Sequence, residues 1–256
     1  MKLKDALAAG QTVLGTFLIE YSAASIPHTL ANAGFDFLII DMEHGIFTAE
    51  SAARLIASSR AAGIAPLVRV PDVTRASILS ALEAGAQGIM APMIRSIRDV
   101  DELYRLAKYP PAGERGTCLG TAHTGYTVPD AAAYLSAANE TTLLVGQIET
   151  ADALRNLDQI LSSGKLDVAF VGPLDLSVSL GAPGCYNTLE FREAVDAVLE
   201  KGRAYGVHTG AFAADPEGAR EWIARGARMV ACSGDLSMLV HRSREIVTAI
   251  CGQKAD

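Results

Sequence analysis

The feature that most limits what this chain can fold into is a repeat of pattern rather than of sequence. Eight short apolar or β-branched runs alternate with longer amphipathic segments rich in Ala, Leu, Arg and Glu. The runs are VLGTFL (13–18), FDFLII (35–40), PLVRV (66–70), GIMAP (88–92), TLLVGQI (142–148), VAFVG (168–172), VHTGAF (207–212) and RMVAC (228–232). The segments between them predict helices over roughly 22–33, 49–62, 74–84, 96–107, 150–161, 188–204, 215–225 and 234–250, with a short one near 130–138. "NAGFD", "AAGIAP", "EAGAQG" and "ARGARM" each put a glycine just past a helix, where a left-handed cap belongs. "GD" at 234–235 and "PD" at 129–130 put aspartates at N-caps.

Apolar runs separated by helices make a parallel sheet with helices on its faces. Eight such pairs in 256 residues match the size and count of a (β/α)8 TIM barrel, here a single domain over 1–256. The competitor is an open doubly wound sheet, but no GxGxxG follows the first run and GxxxxGK[ST] is absent. One connection is long: residues 108–129, "KYPPAGERGTCLGTAHTGYTVP". Loops of that length are usually functional, and on a barrel this one is expected over the mouth.

Half of the chain is apolar, enough for a full core. The charge of −7, from 22 Lys and Arg against 29 Asp and Glu, with no basic cluster, excludes a nucleic-acid surface. The cysteines at 118, 185, 232 and 251 have no CxxC spacing, so they are expected as free thiols of a reducing compartment. No apolar stretch resembles a signal peptide core or a membrane span. The expectation is a cytoplasmic protein with neither a membrane nor a nucleic-acid partner.

Barrel chemistry sits at the C-terminal ends of the strands. There the first run delivers Glu20; the second Asp41, Glu43 and His44; the third Arg69; the fourth Pro92 and Met93. The fifth delivers Gln147 and Glu149, the sixth Gly172, Pro173 and Asp175, the seventh Phe212, and the eighth Ser233 and Asp235. Glu149 and Asp175 end neighbouring strands, whose axes lie about 4.8 Å apart. Two such carboxylates either share a hard divalent cation or separately cap the helices that follow. Arg69 ends an apolar strand, either as an ion pair with Asp41 or Glu43 or as a clamp for a carboxylate or oxyanion. His44, between Glu43 and Gly45, is either a surface histidine or a general base. Of the other histidines, His28 and His241 read as surface or interface, His208 as a hydrogen-bonded strand residue and His123 as a lid contact.

With these residues in view the chain resembles the HpcH/HpaI aldolases, metal-dependent class II pyruvate aldolases. The resemblance runs along almost the whole length, through "FDFLIIDMEHG", "PLVRV", "LEAGAQGIMAPM", "YPPAGERG", "LLVGQIET", "VAFVGPLDLSVSLG" and "ARMVACSGDLSML". It implies a lyase that reversibly cleaves 4-hydroxy-2-oxo acids to pyruvate and an aldehyde through a metal-bound pyruvate enolate. It puts the metal, Mg²⁺, Mn²⁺ or Co²⁺, on Glu149 and Asp175, the base on His44 and the oxyanion-stabilising arginine on Arg69. Asp41 orients the groups around it. Gln147 and the turn Gly172, Pro173, Leu174 and Asp175 fall where the family contacts pyruvate, Leu174 through its backbone. Glu83 stands where the family has an aspartate that raises the basicity of the histidine across a subunit boundary, and is one methylene longer. "TCLGTAHTGYT" replaces a segment with Ala-Arg in many relatives, in a loop that the resemblance implies meets the aldehyde. It also implies a homohexamer, a trimer of dimers, whose last helix, about 234–250, is exchanged between neighbours.

No lysine ends a predicted strand, which disfavours a Schiff-base aldolase. The rivals are oxaloacetate decarboxylation by the same machinery, a citrate-lyase-like enzyme acting on CoA esters, and a non-catalytic barrel that binds a carboxylate.

Overall fold

Alternation within each strand decides which residues face the barrel axis and which face the helices. The computed structural model describes residues 2–252; Met1 and 253–256, the ends of the expected span, lie outside the described residues. The strands are β1 (Val13–Leu18), β2 (Phe37–Asp41), β3 (Ala65–Arg69), β4 (Gly88–Ala91), β5 (Leu143–Ile148), β6 (Val168–Val171), β7 (His208–Ala213) and β8 (Met229–Gly234). They pair in parallel in chain order, and β8 returns to β1 to close the barrel. This is the (β/α)8 barrel expected from the pattern, with strand bounds within about two residues of the expected runs.

In β2, Phe37 and Ile39 join the interior cluster, while Leu38 and Ile40 join the layer beneath the helices. The same split puts Ala65 and Leu67 of β3, Leu143 and Val145 of β5, and Val168 and Phe170 of β6 inside. Side chains in a strand have a period of two, so the next inward positions are Asp41, Arg69, Gln147 with Glu149, and Gly172. The apolar core thus hands over to polar chemistry one step further along four strands.

The helices are α1 (Leu3–Ala8), α2 (Ile26–Asn32), α3 (Ala49–Ala62), α4 (Arg75–Glu83), α5 (Ile97–Ala107), α6 (Ala131–Thr141), α7 (Ala151–Arg155), α8 (Leu157–Ser162), α9 (Pro173–Ser179), α10 (Leu189–Tyr205), α11 (Pro216–Ala224) and α12 (Asp235–Cys251). The glycines read as caps, Gly34, Gly63, Gly85 and Gly226, all have positive φ. α1 was not expected; its Leu3, Ala6 and Leu7 join the interior cluster and close the end of the barrel opposite the mouth. The helix expected over 150–161 is two, broken at Asn156, whose φ of −101° and ψ of 8° leave the helical region and whose amide donates to Arg95 O (2.9 Å). Asp130 caps α6 as expected by accepting from Ala133 N (2.9 Å).

Two expectations are corrected. Asp235 does not cap α12; Gly234 does, and the Asp235 carboxylate crosses to the end of β1, accepting from the backbone N–H of Ile19 (3.1 Å), Glu20 (3.0 Å) and Tyr21 (2.8 Å). The long connection does not cover the mouth of its own barrel. It runs from the end of α5 to the start of α6, which leads directly into β5, and connections between a helix end and the next strand belong at the N-terminal ends of strands. Arg60 in the last turn of α3 donates to Ala122 O, and Arg115 donates to Glu83 at the end of α4 (2.9 Å). Lys108 Nζ donates to the carbonyls of Asn139 (2.6 Å) and Thr142 (2.8 Å). No helix among the described residues is long and apolar enough to cross a membrane.

Candidate active site

Asp41 and Arg69 sit side by side in register at the ends of β2 and β3. The pair is bidentate: Arg69 Nε donates to Asp41 Oδ1 (2.8 Å) and Nη2 to Oδ2 (2.5 Å). Asp41 is fully buried and also accepts from the backbone N–H of Glu43 (3.1 Å) and His44 (3.3 Å). One carboxylate therefore fixes both the guanidinium and the loop that carries the histidine. The guanidinium lies over the Phe17 ring at 4.9 Å, and its Nη1 stands 3.4 Å from Glu43. Burial alone lowers an arginine pKa; the hydrogen bonds and charge of Asp41, with Glu43 and Glu149, overcome it and raise it. The ion pair read as the alternative for Arg69 is thus present, with Asp41 through Nε and Nη2 and with Glu43 through Nη1, while the residue also lines the cavity.

His44 is 63% exposed, with Nε2 3.8 Å from Glu43 Oε2. Glu43 has its pKa raised by burial, against the opposing pull of Arg69 and His44. Gly45 matters here through close approach rather than unusual backbone angles: a Cβ on it would stand 2.1 Å from the Asp41 carbonyl oxygen. The DMEHG loop is not a helix cap. α3 is capped by Thr48 and Ser51, each accepting from the other's backbone N–H.

Glu149 is 2% exposed, and its recorded donors are neutral: Met93 N–H to Oε1 (2.7 Å) and the Gln147 amide to Oε2 (3.0 Å). Burial pushes its pKa up to about 7, and the charges of Asp175 and Glu43 push the same way against the Met93 hydrogen bond. Gln147 Oε1 is buried without a hydrogen-bond partner. Gly172 is required by space, because a Cβ there would meet Glu149 Oε2 at 2.1 Å. Neither carboxylate caps a helix by its side chain: Thr150 caps α7, and Gly172 is the N-cap of α9 with the exposed Asp175 in its first turn.

Of these groups, His44, Arg69, Gln147 and the turn from Gly172 through Pro173 and Leu174 to Asp175 line one cavity of about 480 Å³, while Asp41, Glu43 and Glu149 stand behind that lining. Its remaining wall is largely aromatic and aliphatic, with Phe17, Ile19, Phe170 and Phe212. Among the described residues no three His, Cys, Asp or Glu side chains form a metal-binding group. A pair of carboxylates with one orphaned amide oxygen nearby still suits a hard cation that completes its shell with waters and substrate oxygens. The donors are all oxygen, the buried Glu149 carboxylate accepts from neutral groups, and so the residues fit the metal that the family implies.

Glu20 is exposed and does not line the cavity. Glu83 is not brought to it either: at the end of α4 its carboxylate pairs with Arg115 (2.9 Å) and stands 3.1 Å from His123 Nε2, whose Nδ1 is 2.6 Å from Tyr134 Oη. His123 is therefore part of a buried cluster within its own chain. Sequence reasoning missed the backbone of Met93, which holds Glu149 from a left-handed φ of 53°. A non-glycine in that region is a sign of function only once seen.

The pattern of the HpcH/HpaI aldolase/citrate lyase family matches residues 14–242, which include all of these groups. The hydroxypyruvate/pyruvate aldolase of Roseovarius nubinhibens is 32% identical over 244 residues, covering 94% of this chain and 93% of its own. The 4-hydroxy-2-oxo-heptane-1,7-dioate aldolase of Escherichia coli is 32% identical over 254 residues, covering 98% and 95%. The crystal structure of an HpcH/HpaI aldolase from Desulfitobacterium hafniense superposes with a TM-score of 0.95 at 34% identity, over 100% of this chain and 98% of that one. Sequence, fold and the strand-end residues agree, and the chain belongs to the HpcH/HpaI aldolase/citrate lyase family.

Proposed function

We propose that this protein is a divalent-metal-dependent pyruvate aldolase, a carbon–carbon lyase that joins pyruvate to an aldehyde and cleaves the resulting 4-hydroxy-2-oxo acid. The observation that carries the reading is Glu149, buried at the mouth among neutral donors and beside the orphaned Gln147 Oε1. Glu149 and Asp175 would hold the cation, which when bound supplies Lewis-acid polarisation of a 2-oxo acid carbonyl. Arg69, locked by Asp41 and lining the cavity, stabilises the oxygen on which negative charge develops. His44, exposed to the cavity, takes a proton from the pyruvate methyl group. Gln147 and the Gly172–Asp175 turn orient the pyruvate carboxylate.

A CoA ester needs cations for its nucleotide phosphates, and Arg69, already engaged by Asp41, is the one Lys or Arg lining the cavity among the described residues. That disfavours the citrate-lyase-like alternative. Glu83 acts, in this proposal, on His44 of a neighbouring subunit, within a hexamer in which α12 is exchanged. The exposed apolar residues of α12 support that assembly. The four free cysteines and the lack of a spanning helix among the described residues support a cytoplasmic enzyme.

The test is to strip the protein with EDTA and restore Mg²⁺, Mn²⁺ or Co²⁺, assaying pyruvate with several aldehydes while Mn²⁺ binding is followed by calorimetry. Activity lost and restored is expected, with Glu149→Gln abolishing both binding and turnover. Full activity after stripping overturns the metal requirement; no product from any pair overturns the aldolase reading.

A further inference from the structure

The ring of His44 is 63% exposed, so packing does not aim it; the backbone beneath it must. That backbone is held from two sides. On one, Asp41 accepts from the N–H of Glu43 and of His44 itself. On the other, Ile46 N–H donates to the carbonyl oxygen of Ile19, just past the end of β1 (3.1 Å). Gly45 lies between the two anchors, and a Cβ there would stand 2.1 Å from Asp41 O and 2.9 Å from Ile19 O. The direction of the Ile19 carbonyl therefore fixes one edge of the histidine loop.

That carbonyl shares a peptide plane with Glu20 N–H, and the partial double bond between them keeps the plane stiff. Glu20 N–H donates to Asp235 Oδ2 (3.0 Å), and the N–H groups on either side of it reach the same carboxylate, Ile19 at Oδ1 (3.1 Å) and Tyr21 at Oδ2 (2.8 Å). Three consecutive N–H groups on one carboxylate leave the Ile19–Glu20 peptide little freedom to turn. Asp235 is itself fixed: it is buried in the first turn of α12, and its Oδ1 also accepts from Leu236 N–H (2.9 Å). One line of bonds thus runs from Asp235 to Glu20 N–H, across the peptide to Ile19 O, and on to Ile46 N–H in the loop that carries the base. Asp235 is not among the residues that line the cavity, so it acts through others.

We propose that Asp235 is a positioning residue for His44, setting through the Ile19–Glu20 peptide where the base stands over the pyruvate methyl group. The proposal rests on the reading of His44 as base and deepens it by naming what aims the ring. Proton transfer is sensitive to such an anchor, because a displacement of about 1 Å in a reacting group costs about a hundredfold in rate. The cation ligand Glu149 is remote from this line, since it follows β5, which stands across the closed barrel from β1.

Deuterium incorporation into the pyruvate methyl group in D₂O isolates the proton transfer, since it needs no aldehyde. It is measured with saturating Mn²⁺ and pyruvate, below the melting transition of each variant, beside Mn²⁺ affinity by calorimetry and folding by circular dichroism. Asp235→Ala is expected to slow exchange about tenfold or more, with Mn²⁺ affinity within about twofold of the wild type. Ile46→Pro removes the N–H at the far end of the line, leaves Asp235 in place, and is expected to slow exchange similarly. The double variant is expected to be no slower than the slower single one, because both changes break the same line. Exchange at the wild-type rate in either folded variant overturns the proposal, and Ile46→Pro decides alone if Asp235→Ala does not fold. A parallel loss of Mn²⁺ affinity in folded Asp235→Ala also overturns it, because the whole barrel mouth is then disturbed. Absence of exchange in the wild type overturns the reading of His44 as base, and the proposal with it.

Discussion

Asp41 accepts two hydrogen bonds from Arg69 and two from the backbone of the histidine loop, with no exposed surface. Asp41→Asn keeps the shape but turns an amide NH₂ toward a guanidinium, leaving donors facing a donor. It is expected to cost about 3 kcal/mol in urea titrations, as unpairing a buried charge does, and to lower kcat/KM at least a hundredfold. Glu149 gives a pH signature. Its pKa rises from the ordinary 4.5 to about 7 on folding, so the folded chain holds that proton more tightly than the unfolded one. Metal-free protein therefore loses stability as pH climbs from about 4.5 to about 7, by about 3 kcal/mol in all. Thermal melts across that window are expected to fall more steeply for the wild type than for Glu149→Gln, and saturating Mn²⁺ is expected to remove the difference. Most residues of this site were legible because strand ends on a barrel are where polar groups need a reason. Met93 was not, because its contribution is a backbone N–H that any residue carries.

At the scale of elements, the runs of apolar residues revealed every strand, since eight short stretches bounded by helices leave little else to be. What local pattern did not reveal were contacts across the chain. Asp235 looks like a cap in sequence because Gly-Asp before a helix is a capping signal, yet its partners, Ile19 to Tyr21, lie more than two hundred residues away. Asp235→Ala removes the acceptor for three backbone N–H groups at the seam between β1 and β8. It is expected to destabilise the fold by about 2–3 kcal/mol and to speed amide exchange at Ile19, Glu20 and Tyr21 specifically. The long connection was legible as special by its length, but length says nothing about which face it covers. Chain order does, because it leads from α5 toward β5 and so falls opposite the mouth.

For the whole molecule, α12 is the element that a single chain does not explain. Asp235 is its one buried residue, while Leu236, Leu239, Val240, Ile246, Val247 and Ile250 form an exposed apolar stripe at helical spacing. The apolar spacing was visible in sequence; its lack of a partner within the chain was not. Sedimentation velocity is expected to show an oligomer, and Leu239→Glu with Val247→Glu is expected to shift it to smaller species without loss of helical circular dichroism.

The two-residue alternation of the strands acts as a reading frame for the site. One residue inserted into β5 ahead of Gln147 would swing Gln147 and Glu149 from the axis into the helix layer and bring Ile148 to face the pyruvate. An insertion of two would restore the facing but lift both groups by a full pleat, away from Arg69 and the Gly172 turn. Changes of chemistry in such a barrel must therefore enter by substitution at fixed positions or by growth of the loops, because the strands themselves tolerate no drift in length.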